Sequence, residues 1–359
     1  MGKYYLVISL LLFTTFSCSN REKVLDTEKV LHLEKPNFEN WASLIHLEEV
    51  ICLDENEDSL LTIANKCLIS DKRILFWDYK MKCVYVYNRQ GKFLCTIGRQ
   101  GGADFECVDL RDIIFSGRQN ERIELLDVTG ILMYDTENCS FIKKSKLGMS
   151  DITMYYKFIH LQDDDYLFFT DVGEYSIYNW DGTKLHGLRK REGYQLITNR
   201  FCTYGMTSLV APDYGRFVID EFTDGLLTPK YYLDFGSEEL PERELPITSR
   251  QFERIDRIEE YFKSIVDVKE SVDWLYAKVV GPSQVYYDIY SNKKNGALWA
   301  GPADMKLGLS IVTIEGNSFW GIIYPEYLSE ESSFYATVQK YIDKEKLVPI
   351  LVKFGVYEE

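Results

Sequence analysis

Catalytic and metal-binding signatures are what this chain lacks. It holds only four histidines in 359 residues, His32, His46, His160 and His186, and none is paired at a metal-ligand spacing. Neither H-E-x-x-H nor G-x-S-x-G occurs, so zinc-assisted hydrolysis and a nucleophile-elbow serine have no local support. Catalytic groups on separate elements converge in space without any motif, so this absence weighs against an enzyme without removing one. None of the eight cysteines lies in a C-x-x-C pair, which leaves a zinc site or thioredoxin-like motif unsupported. Excess positive charge is missing too: 41 basic residues face 56 acidic ones, a net −15. That field repels nucleic acid and anionic headgroups, although simple solubility explains it equally well. Beyond the first residues, no apolar run is long enough to span a bilayer.

What the chain does have is a repeat. Ile74-Leu75-Phe76-Trp77-Asp78 leads to Val84-Tyr85-Val86-Tyr87-Asn88, and Ile123-Glu124-Leu125-Leu126-Asp127 leads to Ile131-Leu132-Met133-Tyr134-Asp135. Tyr166-Leu167-Phe168-Phe169-Thr170-Asp171 leads likewise to Tyr175-Ser176-Ile177-Tyr178-Asn179. Tyr87, Tyr134 and Tyr178 are spaced by 47 and then 44 residues. A period of about 40–50 residues built only of short strands is the mark of propeller blades. The expected fold is all-β, a six-bladed β-propeller over residues 41–356.

The ends carry an address. Lys3, an apolar run from Tyr4 to Phe13, and small residues up to Ser17 precede Cys18, which reads as a lipoprotein signal peptide over 1–18 with Cys18 acylated. Thr15 stands where such signals usually carry Leu, and an ordinary cleaved secretion signal is the alternative. Several acyl chains would hold the protein at a membrane, since each buried methylene contributes about 0.8 kcal/mol. Residues 19–40, mixed in charge, are expected to be a tether.

Blades one to three are expected at about 60–98, 108–147 and 154–190. Blade four pairs Phe217–Asp220 with Lys230–Gly236, blade five centres on Val285–Tyr290, and blade six uses Leu307–Ile314 and Phe319–Tyr324. Two stretches have helical rather than strand spacing. One is a helical insertion at about 249–268, with Phe252, Ile255, Ile258, Phe262 and Ile265 three or four apart and Thr248 and Gln251 suited to a capping box. The other is a C-terminal helix at about 329–344. The apolar stretch from Val348 to Phe354 ends the chain as a strand, and pairing it with Ser43–Leu53 would close the ring and remove its open edges.

Val84 to Ile97, followed by Gly98-Arg99-Gln100-Gly101-Gly102, resembles the six-bladed, NHL-like β-propeller lipoproteins of Bacteroidetes, a family of uncharacterised function. Leu233-Asp234-Phe235-Gly236 and the closing Leu347 to Val352 are similar to that family's fourth-blade ending and last strand. The family's proline is absent from the Gly98–Gly102 loop, and Asp104-Phe105 replaces its Glu-Tyr. The resemblance implies a propeller and an envelope location and carries no catalytic signature; Ser19, rather than Asp, after Cys18 suits sorting to an outer membrane, with the protein either periplasmic or surface-exposed.

Several residues are candidates for chemistry. Asp78, Asp127, Asp171 and Asp220 close strands; they would either ring the channel mouth, where a hard cation such as calcium would suit them, or accept N–H bonds in turns. Alternation places Tyr286, Asp288 and Tyr290 on one face of a strand, either a sugar- or peptide-binding surface or inter-blade packing. The Gly98–Gly102 loop lacks the Lys-Ser/Thr of a P-loop and reads as a connection between blades. Trp180-Asp181-Gly182-Thr183 has part of an Asp-box pattern and reads as a hairpin turn. Cys83 and Cys95 flank one hairpin and either face each other across it in a disulfide or, like most of the other cysteines, are small buried apolar residues. The expected function is a ligand- or partner-binding module with no resident cofactor, meeting a glycan, a peptide or an envelope protein. The rival is a propeller lyase or hydrolase using carboxylate or metal chemistry in the channel.

Overall fold

A strand that is apolar at nearly every position needs burial on both faces, and stacking blades around an axis supplies it. In the computed structural model, residues 29–33, 45–54, 61–62, 64–117, 119–145, 155–161, 164–170, 174–190, 201–204, 207–246, 248–303, 309–330, 335–342 and 348–356 are described. They form six separate sheets. Named from the axis outward, blade one is Ala64–Ile69, Arg73–Asp78, Cys83–Asn88 and Phe93–Ile97. Blade two is Leu110–Ser116, Arg122–Asp127, Gly130–Asp135 and Phe141–Lys144, and blade three is Tyr155–His160, Asp165–Thr170, Glu174–Asn179 and Lys184–Lys190. Blade four is Phe201–Tyr204, Thr207–Val210, Val218–Thr223 and Leu226–Asp234, and blade five is Ser264–Glu270, Trp274–Val280, Tyr286–Asn292 and Leu298–Pro302. Blade six draws on both ends of the chain: Leu309–Glu315, Ser318–Ile323 and Ile350–Val356, then Ile45–Cys52 outermost.

An apolar cluster fills each wedge between neighbouring blades. Leu75, Val84 and Val86 of blade one meet Ile113, Leu125 and Leu132 of blade two. On the opposite face of the same blade, Ile74, Phe76 and Tyr85 meet Trp320, Ile322 and Leu351 of blade six. Comparable clusters join blades two and three, three and four, four and five, and five and six. This explains the tyrosine repeat, because Tyr87, Tyr134 and Tyr178 are all buried in wedges.

The turns follow their residues. Asn88 Oδ1 accepts from the Gln90 and Lys92 amides at 3.0 and 2.9 Å, and Gly91 takes φ +81°. A Cβ on Gly91 would sit 2.1 Å from the Cys52 carbonyl oxygen, so a side chain there is excluded by contact as well as by φ. Asn179 repeats the device toward Asp181 and Thr183, and the Asp-box-like segment is a hairpin turn. In the Gly98–Gly102 connection, the Gly101 amide donates to the Cys107 carbonyl and the Cys107 amide to the Arg99 carbonyl.

Four expectations change. Lys29–His32, assigned to the tether, is a fifth strand of blade four, parallel to Leu226–Asp234, and buries Leu31. The capped helix starts at Thr248 as expected but covers only Ser249–Asp256. Phe262 leaves it to bond Glu238 and Leu240 and to stack on Phe235, and Ile265 enters the innermost strand of blade five. Its continued three-four spacing is therefore produced by burial between sheets, not by a helix. Near 329–344, the described helix is the single turn Tyr335–Val338 followed by a 3-10 turn at Gln339–Tyr341. Cys83 and Cys95 do not face each other: Cys95 lies opposite Val86, three residues along the strand, roughly 10 Å away. The two also pack into wedges on opposite sides of the blade.

The signal peptide and Cys18 lie outside the described residues.

A charged central channel as candidate functional site

The innermost strand of each blade is the edge of its sheet, and the six line a cavity of about 1640 Å³. Five of these strands carry a β-bulge at the same place, between Ala64 and Lys66, Leu110 and Asp112, Tyr155 and Lys157, Ile265 and Asp267, and Ile311 and Thr313. A bulge inserts one residue and re-aims the side chain that follows. The residue that follows is polar in every case. Lys66 Nζ lies 2.8 Å from Asp112 Oδ1, and Lys157 Nζ lies 3.4 Å from the same oxygen, so one carboxylate links blades one, two and three. In blade five, Lys269 pairs with Asp267, and Lys66, Asp267, Lys269 and Thr313 all line the channel. At this level three ammonium groups face two carboxylates.

Burial alone raises the pKa of Asp112, but Lys157 and Lys66 outweigh it and hold the carboxyl below its usual value. Lys66 moves the other way: burial lowers its pKa although Asp112 opposes the shift, and the charge of Lys269 adds to the lowering. That last influence means that the blade-one and blade-five lysines share one field.

A second polar cluster stands where the innermost strands of blades two and three end. Glu124, fully buried, accepts from Ser116 Oγ at 2.6 Å and lies 2.8 Å from His160 Nδ1. His160 Nε2 is 3.8 Å from Asp164, and the ring packs against Tyr166 with centroids 4.7 Å apart. Burial, then the Glu124 charge, pushes the Tyr166 hydroxyl pKa up.

The candidates read from sequence are placed differently. Asp78 accepts from the Thr62, Lys80 and Met81 amides and from the Thr62 hydroxyl, all within 3.0 Å. Asp127 accepts from the Asp109 and Thr129 amides and the Thr129 hydroxyl. Both therefore tie the turn after the second strand to the chain entering the first strand of their own blade. Asp220 is in the third strand of blade four, opposite Val210 and Pro229, not at the end of a second strand, so it is out of phase with the other two. Asp171 lies outside the described residues. On the blade-five face, Asp288 and Tyr290 are buried and only Tyr286 is exposed, at 44%. Tyr290 packs on Tyr276 and Phe319, and Asp288 accepts from the Tyr276 hydroxyl at 2.7 Å with Lys278 3.9 Å away. Burial raises the Asp288 pKa, against the pull of Lys278. That face is inter-blade packing that supports the channel-lining Tyr276 and Lys278 from behind.

Among the described residues, no group of three or more His, Cys, Asp or Glu is arranged to hold a metal ion, and no helix is long and apolar enough to cross a membrane.

No curated protein matches the sequence. Among solved structures, a candidate exported protein of Bacteroides fragilis NCTC 9343 superposes with a TM-score of 0.75 at 16% identity, covering 92% of this chain and 100% of its own. A member of the DUF4221 family from Bacteroides vulgatus ATCC 8482 superposes with a TM-score of 0.56 at 8% identity, covering 88% and 98%. At such identities the likeness carries the fold alone. A family model described as a domain of unknown function, DUF4934, matches residues 25–352, and the chain belongs to that family.

Proposed function

We propose that this chain is an envelope protein, held at a membrane through acylated Cys18, whose propeller binds an acidic ligand in the central channel. One observation carries the reading: around one level of the channel Lys66, Lys157 and Lys269 outnumber Asp112 and Asp267, with Lys66 and Lys269 on the lining and the Asp112–Lys157 pair buried behind it, inside a protein of net charge −15. Such a local excess of cations favours a carboxylate-bearing ligand, such as a uronic-acid glycan or a peptide C-terminus. Unpaired N–H and C=O groups along the innermost strand edges would add hydrogen bonds to it.

The test is a thermal-shift screen of the chain from Asn20 onward against acidic and neutral oligosaccharides and peptides, followed by calorimetry. An acidic ligand should raise Tm by mass action, and Lys269→Met should weaken its binding about tenfold by removing one charge-assisted contact. Binding that survives Lys269→Met but is lost with Tyr286→Ala would move the ligand to the outside of blade five and end the channel reading. So would a response to neutral ligands only.

A second reading, a propeller lyase or hydrolase, is favoured by one pair. Glu124 at His160 Nδ1 fixes the ring as a buried carboxylate does for a general base, and His160 faces the channel. A ligand found in the screen should then be converted on long incubation, with new masses detected by mass spectrometry. His160→Gln should abolish conversion and spare binding. A bound ligand recovered unchanged sinks this reading.

A further inference from the structure

Blade one and blade two meet at a pair of cysteines that the channel reading does not use. Cys95 is in the outermost strand of blade one, and Cys139 is in the hairpin between Gly130–Asp135 and Phe141–Lys144 of blade two. Both pack against the apolar cluster of that wedge, both are partly accessible, and both are reduced thiols in the structure. Their approach is built by other residues. Arg73 of blade one donates from Nε to the Thr136 carbonyl at 2.9 Å and from Nη2 to the Glu137 carbonyl at 2.6 Å, which pins the blade-two hairpin against blade one. The Cys139 amide closes the hairpin onto the Asp135 carbonyl at 2.9 Å, with Cys139 at φ +60°, a conformation in which a side chain other than Gly or Asn is uncommon. So held, Cys139 enters the same wedge as Cys95, and each thiol shifts the other's pKa, Cys95 upward and Cys139 downward.

We propose that Cys95 and Cys139 form a disulfide that staples blade one to blade two once the chain is in an oxidising compartment. The chemistry is set up in the right order. The neighbouring Cys95 thiol, opposed by burial and helped by the Arg73 guanidinium, holds the Cys139 thiol below its ordinary pKa, so Cys139 supplies the attacking thiolate. Its sulfur attacks a disulfide oxidant, either a thiol–disulfide oxidoreductase or oxidised glutathione, forming a mixed disulfide and releasing one thiolate. Cys95 then loses its proton, attacks the Cys139 sulfur and expels the second thiol. Two thiols of this chain are oxidised, and one oxidant disulfide is reduced to two thiols. The compartment fits: the chain has a leader-like start, and disulfides persist in exported proteins.

The test is to treat the folded chain from Asn20 onward with oxidised glutathione, alkylate the remaining thiols and map peptides without reductant. The expected result is one cross-linked peptide pair joining residues 95 and 139, released by dithiothreitol. Reduction should lower Tm by about 5 °C in the parent chain and leave a Cys95→Ser, Cys139→Ser double variant unmoved. Alkylation of both thiols after oxidation would overturn the proposal. A link from either cysteine to a different partner, such as Cys83, would overturn it too. Because the readout is a covalent map, its failure leaves the channel reading standing, and the reverse also holds.

Discussion

Replacing Asp112 by alanine is expected to destabilise the fold by about 3 kcal/mol, one of the largest effects of any single side chain near the channel. The reason is the arrangement around one oxygen. Asp112 is 2% exposed and is the only carboxylate in ion-pair contact with Lys66 and Lys157 among the described residues. Removing it leaves two ammonium groups in a wedge where neither is well hydrated. The Lys66 tail lines the cavity, which lets it recover some water and keeps the cost toward the lower end of the range for a broken buried pair. For a chain of this size, about 3 kcal/mol corresponds to a fall in Tm of roughly 4 °C. Asp112→Asn should cost less, because the amide keeps the volume and one acceptor. The pH dependence supplies a second check. The folded-state pKa of Asp112 lies below its unfolded value, so its contribution is complete above the unfolded pKa of about 3.9 and is lost as pH falls through the folded pKa. The gap in Tm between parent and variant should therefore be wide at pH 7 and close in strong acid. A gap that stays constant down to pH 2 would mean that packing, not charge, carries the effect.

The same side chains show what the sequence makes legible and what it hides. Blade strands stand out because they are buried on both faces, so Ile74–Trp77 and Val84–Tyr87 are unbroken apolar runs and their tyrosines mark the period. Innermost strands are mostly bulged and half polar, and they do not stand out. Yet Lys66, Asp112 and Lys157 are 46 and 45 residues apart, the period of the tyrosines. A charged residue recurring at one phase of the repeat inside an apolar strand is the signal that would have found the channel. The strand-end aspartates are more conspicuous in the sequence, yet Asp78 and Asp127 spend their oxygens on turn amides. Blade four reads one strand out of phase because Phe217–Asp220 imitates a second strand by composition while pairing as a third. Lys29–His32 hides because its mixed charge resembles a linker, and only Leu31 and the following Leu33 reveal its buried face. The Cys95–Cys139 contact joins neighbouring repeats across an irregular hairpin, and local spacing holds no trace of it.

Ending the chain at residue 349 is expected to abolish cooperative folding altogether. Ile350–Val356 is the third strand of blade six and the partner of Ile45–Cys52, the strand that brings the N-terminal side of the chain into the ring. Its loss removes Ile350, Val352 and Phe354 from the wedge with blade five and Leu351 from the wedge with blade one, all of them buried. At about 1.5–3 kcal/mol per buried side chain, these four alone are worth roughly 6–12 kcal/mol, as much as the whole net stability of an ordinary domain. Further loss follows from topology. Without this strand, Ile45–Cys52 has no partner and Ser318–Ile323 becomes an open edge beside an unfilled wedge. Starting the chain at residue 34 instead removes Lys29–His32, a fifth strand that lies outside a complete four-stranded blade. That truncation should lower Tm yet keep a single sharp transition. Circular dichroism melts of the two truncations, with limited proteolysis alongside, separate the cases. A cooperative melt from the chain ending at 349 would show that five blades hold without the clasp. Loss of cooperativity in that chain alone would place the closure of blade six, rather than the total apolar area, in control of whether the ring forms.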